Sequence, residues 1–148
     1  MIQGELVNKQ PVVRRQGGRV LLVDDDAVLL SVLARAFSNA GYATKTAENG
    51  RKALELVKSH RPALVVTDIV MPEMEGIGAI MAIKQMAHPP KIIAMSGAGP
   101  GGRRNYLKWA QHLGADGVLA KPFRLAEMLA LAGDLIPEHS DQLMSTGS

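Results

Sequence analysis

The 148-residue sequence contains no cysteine, which excludes disulfide staples and thiolate metal sites. That suits a reducing compartment, and a cytoplasmic location is expected. Aromatic residues make up 3% of the chain. With so few stacking platforms and no dense basic stripe, no nucleic-acid partner is expected. No apolar run approaches the ~18–20 residues of a membrane span. The N-terminus MIQGELVNKQ lacks the long apolar stretch of a signal peptide, so neither membrane insertion nor export is expected. The four histidines, His60, His88, His112 and His139, are scattered without metal-ligand spacing.

Hydrophobic residues are 47% of the chain, enough to bury the core of one domain. The formal charge is +3, with basic residues gathered at Lys9, Arg14, Arg15 and Arg19 and again at Arg103, Arg104 and Lys108. Both groups read as solvated charge. Residues 1–18 are mixed and end in Gly17-Gly18, the pattern of a flexible arm, and 137–148 read as a polar tail after Pro137.

Between these ends, strand and helix patterns alternate. Strands are expected at 19–23 (RVLLV), 42–46 (YATKT), 63–67 (ALVVT), 91–95 (KIIAM) and 117–120 (GVLA). The first, third and fourth are nearly continuous apolar runs, as parallel strands covered on both faces require, while the second alternates like an edge strand. Helices are expected at 27–40, 50–59, 76–87, 103–113 and 124–136. The inward faces would carry Leu29, Val32, Leu33, Ala36, Phe37 and Ala40 in the first, Ala53, Leu54, Leu56 and Val57 in the second, and Ile77, Ile80, Met81 and Ile83 in the third. The fourth would bury Tyr106, Leu107, Ala110 and Leu113, and the fifth Leu125, Met128, Leu129, Ala132 and Leu135. Alternation of this kind predicts a flavodoxin-like, doubly wound (βα)5 fold. Its parallel five-stranded sheet would have order 2-1-3-4-5 and a switch point between strands 1 and 3.

Chemistry is concentrated at the carboxyl ends of the strands. The first runs into Asp24, Asp25 and Asp26, the third into Asp68, the fourth into Ser96 and the last into Lys121. Each residue has an ordinary explanation alone: a helix cap for one aspartate, a loop serine, an exposed lysine before Pro122. Together they match the needs of phosphoryl transfer. A crowd of carboxylates suits a hard cation such as Mg²⁺. A lysine and a hydroxyl would hold oxygens of the transferring group, and aspartate can serve as the nucleophile.

Across about residues 19–136 the sequence resembles the receiver domain of two-component response regulators. The resemblance rests on the acidic group after strand 1, on D-x-x-MP-x-M-x-G from Asp68 to Gly76, on the serine after strand 4 and on KPF from Lys121. It implies that Asp68 accepts phosphate from a histidine kinase or a phosphotransfer protein. It also implies that Asp25 and Asp68 bind Mg²⁺ with Asp24 nearby and the Val70 carbonyl as a further ligand, and that Ser96 and Lys121 hold phosphate oxygens. A cis Lys121–Pro122 bond is common in that family. One departure stands out: the switch position on strand 5, often Tyr or Phe, is Val118, which leaves Ser96 as the switch residue that fits. The implied protein is a signalling module that assists only its own phosphorylation and dephosphorylation, and so not an enzyme acting on a free substrate. The implied face for a downstream protein partner spans 97–136, with Trp109 as an anchor, and homodimerisation stays open. No output domain is expected in 137–148, so the chain would act alone or as a piece of a longer one.

Two alternatives stay open. LLVDDDAV fits the D-x-D-x-[TV] pattern of haloacid-dehalogenase-like phosphatases, with Asp24 as nucleophile, but leaves Asp68 without a role. A receiver-shaped interaction domain that is never phosphorylated is the other. GAGPGG (97–102) formally fits a dinucleotide fingerprint, but on the wrong strand and interrupted by Pro100.

Overall fold

Three buried, largely apolar strands flanked by two more exposed edge strands pair side by side in a computed structural model that describes residues 18–69, 76–97, 108 and 110–137. The strands are β1 (Arg19–Val23), β2 (Ala43–Ala47), β3 (Leu64–Asp68), β4 (Lys91–Ser96) and β5 (Gly117–Ala120). All pairings are parallel, in the order β2-β1-β3-β4-β5, which is the order expected from the sequence. The helices with described bounds are α1 (Ala27–Asn39), α2 (Gly50–His60), α3 (Gly76–Lys84) and α4 (Leu125–Leu135). The helix expected at 103–113 is described only at Lys108 and 110–113, of which Lys108 and 110–112 are helical and Leu113 is already in a turn. The arm at 1–17 and the tail at 138–148 lie outside the described residues.

Alternation along each strand sends successive side chains to opposite faces. Val20, Leu22, Leu64, Val66, Ile93 and Met95 pack with α1 and α4 through Leu30, Leu33, Phe37, Met128 and Ala132. Leu21, Val23, Val65, Ile92 and Ala94 pack with α2 and α3 through Ala53, Val57, Ile80 and Ile83. Each such fully buried aliphatic side chain contributes about 1.5–3 kcal/mol, so the sheet and its two helical layers hold the strand ends in fixed register.

Three expectations about helix faces are corrected. In α1 the buried positions are Leu30, Leu33 and Phe37, whereas Val32 is 44% exposed and Ala40 is an exposed C-cap. In α3 Met81 faces out and Ala79 takes an inward place. In α4 Leu125 is exposed, while Met128 and Ala132 are buried as expected. Helix α3 also stops at Lys84, three residues before the expected end.

The helix ends have identifiable stops. Asp26 caps α1 by accepting from Val28 N at 3.0 Å and Leu29 N at 3.2 Å, and Asn49 caps α2 by accepting from Lys52 N at 2.9 Å. Gly41, which has a φ of 101°, follows the Ala40 cap of α1. Arg19, which the sequence groups with solvated charge, has a structural task. Its Nε donates to His60 O at 2.9 Å and its Nη2 to Arg61 O at 3.2 Å, satisfying carbonyls at the end of α2.

Candidate functional site

Register brings the acids together. Val23 pairs with Thr67 across β1 and β3, so the next residues, Asp24 and Asp68, leave the sheet side by side at the switch point of the strand order. Asp24 is fully buried, Asp68 is 4% exposed and Asp25 is exposed. One carboxylate oxygen from each of the three lies within 4.8 Å of the others. Three carboxylates, two of them shielded, make an oxygen-rich pocket that suits a hard divalent cation.

Lys121 reaches this pocket from the far edge. Ser96 pairs with Ala120, and Lys121 N donates to Ser96 O at 2.8 Å, so β5 delivers the side chain at a fixed height. Its Nζ donates to Asp24 Oδ2 at 2.8 Å and lies 3.6 Å from Asp68 Oδ2. The Lys121–Pro122 peptide is cis. Asp24 Oδ1 accepts from Asp26 N at 2.9 Å. Both oxygens of Asp24 are thus engaged, which disfavours Asp24 as a nucleophile.

The electrostatics follow from burial. Desolvation pushes the Asp24 carboxyl above the usual carboxylate range, against the pull of the Lys121 ammonium and the Asp26 amide. Burial works to lower the Lys121 pKa, but the hydrogen bond to Asp24 and the charges of Asp68 and Asp24 outweigh it and hold it above the usual lysine value. Lys121 is therefore a permanent cation facing two buried acids.

Ser96 ends β4 fully buried, with Oγ donating to Gly97 O at 3.1 Å. Val118 is half-buried and packs on the α2/α3 side of the sheet. Val70, the loop after Gly97, Arg103, Arg104 and Trp109 lie outside the described residues. Two residues not singled out in the sequence also belong here. Thr67 is buried, and its hydroxyl donates to the Asp68 carbonyl at 3.0 Å; a polar residue inside an apolar strand was the signal for it. Asp116 sits at the start of β5 and accepts from Ile92 N and Lys84 Nζ, a role that depends on tertiary pairing alone.

The sequence profile described as response regulator receiver domain matches residues 20–132. The chain belongs to this family. The receiver is 35% identical over 112 residues to the response regulator MprA of Mycolicibacterium vanbaalenii, a match covering 76% of the chain and 47% of that protein. It is 37% identical over 112 residues to the chemotaxis protein CheY of Bacillus subtilis, covering 75% of the chain and 91% of that protein. The chain thus spans about half the length of MprA. Among solved structures, the signal receiver domain of a response regulator from Bermanella marisrubri superposes with a TM-score of 0.75 at 31% identity, covering 82% of this chain and 99% of that one. Membership places the chain among the modules of two-component signalling, which are not classical enzymes. Among the described residues, no helix is long and apolar enough to cross a membrane.

Proposed function

We propose that this receiver is a phosphoacceptor, with Asp68 taking the phosphoryl group from a phosphohistidine on a histidine kinase or phosphotransfer protein. The observation that carries the reading is the meeting of Asp24, Asp25, Asp68 and Lys121 at one strand-end pocket. Asp24, Asp25 and Asp68, with the Val70 carbonyl, would hold Mg²⁺. Bound there, the cation would neutralise charge on the phosphoryl oxygens.

In the transfer an Asp68 carboxylate oxygen attacks phosphorus, and the P–N bond to the donor imidazole breaks. The bonding pair returns to the ring nitrogen, and an acyl phosphate remains on Asp68. Lys121 is already charged and placed between the two buried acids, so it can follow the phosphoryl oxygens without a proton transfer. Ser96 would turn its hydroxyl from Gly97 O to the phosphoryl group, and with Val118 in place of an aromatic, this hydroxyl carries the switch. A donor protein would meet an apolar rim beside the pocket. Val28 is 73% exposed, and a cleft of about 600 Å³ is lined by Leu29, Val32, Pro122, Phe123 and Leu125 together with Lys121. A downstream partner would read the 97–136 face, whose Lys121, Pro122, Phe123 and Leu125 form one wall of that same cleft. A cytoplasmic setting fits this chemistry.

Incubation with Mg²⁺ and a small acyl phosphate, followed by intact mass and site mapping, tests the reading. One phosphoryl group on Asp68, lost in Asp68→Asn, is expected. A metal-bound wild-type protein that takes no phosphate would support the interaction-only alternative, and label on Asp24 the phosphatase one.

A further inference from the structure

Lys121 is delivered to the pocket by an edge strand of four residues, Gly117–Ala120, paired only with β4 among the described residues. A strand so short has little intrinsic hold on its register. A slip of two residues keeps side-chain faces but moves the strand by about 6.6 Å, far outside the reach of a hydrogen bond. The far end of β5, opposite the pocket, is fastened by Asp116. Its backbone N donates to Ile92 O at 2.8 Å, and its Oδ2 accepts from Ile92 N at 2.8 Å. One residue of β4 is therefore gripped through both its N–H and its C=O, an arrangement that survives no other register. The same Oδ2 accepts from Lys84 Nζ at 3.0 Å, and both side chains are only 24% exposed. This is a charge-assisted bond in a partly shielded place. The Lys84 stem also lies over Gly114, 3.5 Å from where a Cβ would stand.

Lys84 is the last residue of α3, the helix that follows the segment leaving Asp68. The two limbs that meet in the pocket, one carrying Asp68 and the other Lys121, are thus also clasped at the other end of the sheet. We propose that Asp116 is a positioning residue, whose grip on Ile92 and Lys84 sets the height of β5 and so the reach of Lys121 to Asp24 and Asp68. Its effect on transfer rests on the phosphoacceptor reading above; its effect on Lys121 does not.

The test uses Asp116→Ala, Asp116→Asn and Lys84→Met in the full chain, with two readouts. The first is the NMR resonance of the Lys121 ammonium in unphosphorylated protein without Mg²⁺. The second is the rate of phosphorylation by a small acyl phosphate, split into maximal rate and half-saturating concentration. Asp116→Ala is expected to shift the resonance and lower the maximal rate about tenfold with little change in half-saturation, the pattern of a misplaced group. Asp116→Asn keeps an acceptor for Ile92 N, so its rate should return to within about threefold of wild type. Lys84→Met should shift the resonance in the same direction by less, and it carries the test if Asp116→Ala does not fold. A folded Asp116→Ala, or in its absence Lys84→Met, with the wild-type Lys121 resonance would overturn the proposal. If wild-type protein takes no phosphate, the phosphoacceptor reading falls, and the resonance alone decides the role of Asp116.

Discussion

Replacing Lys121 by methionine keeps most of the stem and removes the charge. The wild-type ammonium sits 2.8 Å from Asp24 Oδ2 and 3.6 Å from Asp68 Oδ2, and at an effective dielectric of about 20 each contact carries about 5 kcal/mol of Coulomb attraction. Desolvation of the three groups cancels part of that. Breaking a buried pair while leaving its partner charged costs about 3–5 kcal/mol net; because Lys121 is 23% exposed, the lower end, about 3 kcal/mol, is expected. For a domain of this size that is a fall in Tm of about 10 °C. The pH dependence has a definite sign. Burial already raises the Asp24 pKa, and losing the ammonium raises it further. A group whose folded pKa lies above its unfolded value adds stability at low pH and loses it as pH rises through the folded pKa. The deficit of Lys121→Met relative to wild type should therefore be large at pH 7.5 and shrink towards pH 4.5. Without the competing ammonium the acids should bind Mg²⁺ more tightly, so a concentration that reaches 100 times the Kd of the variant adds about 2.7 kcal/mol to it and less to wild type, which narrows the deficit. Urea unfolding at the two pH values, with and without Mg²⁺, measures all three. A deficit of one size under every condition would place its cause in lost packing of the stem and refute the charge account.

Gly117→Ala would bring a Cβ to 2.9 Å from Leu131 Cδ2; a loss of about 1–2 kcal/mol is expected by overpacking, and the double variant with Leu131→Ala should show a favourable coupling in urea unfolding. Mg²⁺ affinity should weaken as pH falls, because the raised Asp24 pKa lets a proton compete with the cation at a higher pH than an ordinary aspartate would allow; titration calorimetry across pH 4.5–7.5 (about the range where carboxylates and histidines titrate) checks it, and a flat profile counts against Asp24 as a ligand. Val32→Asp, at a position 44% exposed beside the pocket, should slow transfer from a protein donor about tenfold by placing a charge in an apolar contact. The rate with a small acyl phosphate should stay at the wild-type value, and equal slowing with both donors would remove the apolar rim as a docking surface.

Strand order, parallel pairing and the strand-end residues were legible because each rests on a local signal: an apolar run, a turn, a carboxylate or lysine where the run stops. Helix phase was less legible, for a physical reason. The segment AVLLSVLA at 27–34 is apolar on nearly every side, so around the expected Leu33 and Phe37 either Val32 or Leu30 fits the same periodicity; the sheet selects Leu30. The same ambiguity affects GIGAIMAIK in α3, where Met81 is left outside. The surplus is not randomly placed. Val32 and Leu125 line the cleft that also holds Lys121, and Val28 is exposed on α1 one turn before Val32. In α1 and α4, though not in α3, the apolar residues that blurred the helix phase are thus the ones that give the pocket an apolar rim.

Asp116 could not be read from the sequence because its partners, Ile92 and Lys84, are brought to it only by the tertiary fold, whereas Thr67 bonds the carbonyl of its own neighbour Asp68. Thr67 shows what strand pairing implies for Asp68. Register aligns Val23, Thr67, Ala94 and Val118 in one row across four strands. The side chains beside Thr67 in that row are hydrocarbon, so its buried hydroxyl has no acceptor there, and leaving the Asp68 carbonyl would expose it to the cost of an unmade hydrogen bond, about 1–3 kcal/mol. The backbone of Asp68 is held from its own strand, while its carboxylate is held by Lys121. Valine at 118 has no polar atom with which to enter or leave this arrangement. A change in charge at Asp68 therefore acts first on the groups whose bonds can be exchanged at little cost: the Lys121 ammonium, which already faces two acids, and the Ser96 hydroxyl, which can trade the Gly97 carbonyl for another oxygen.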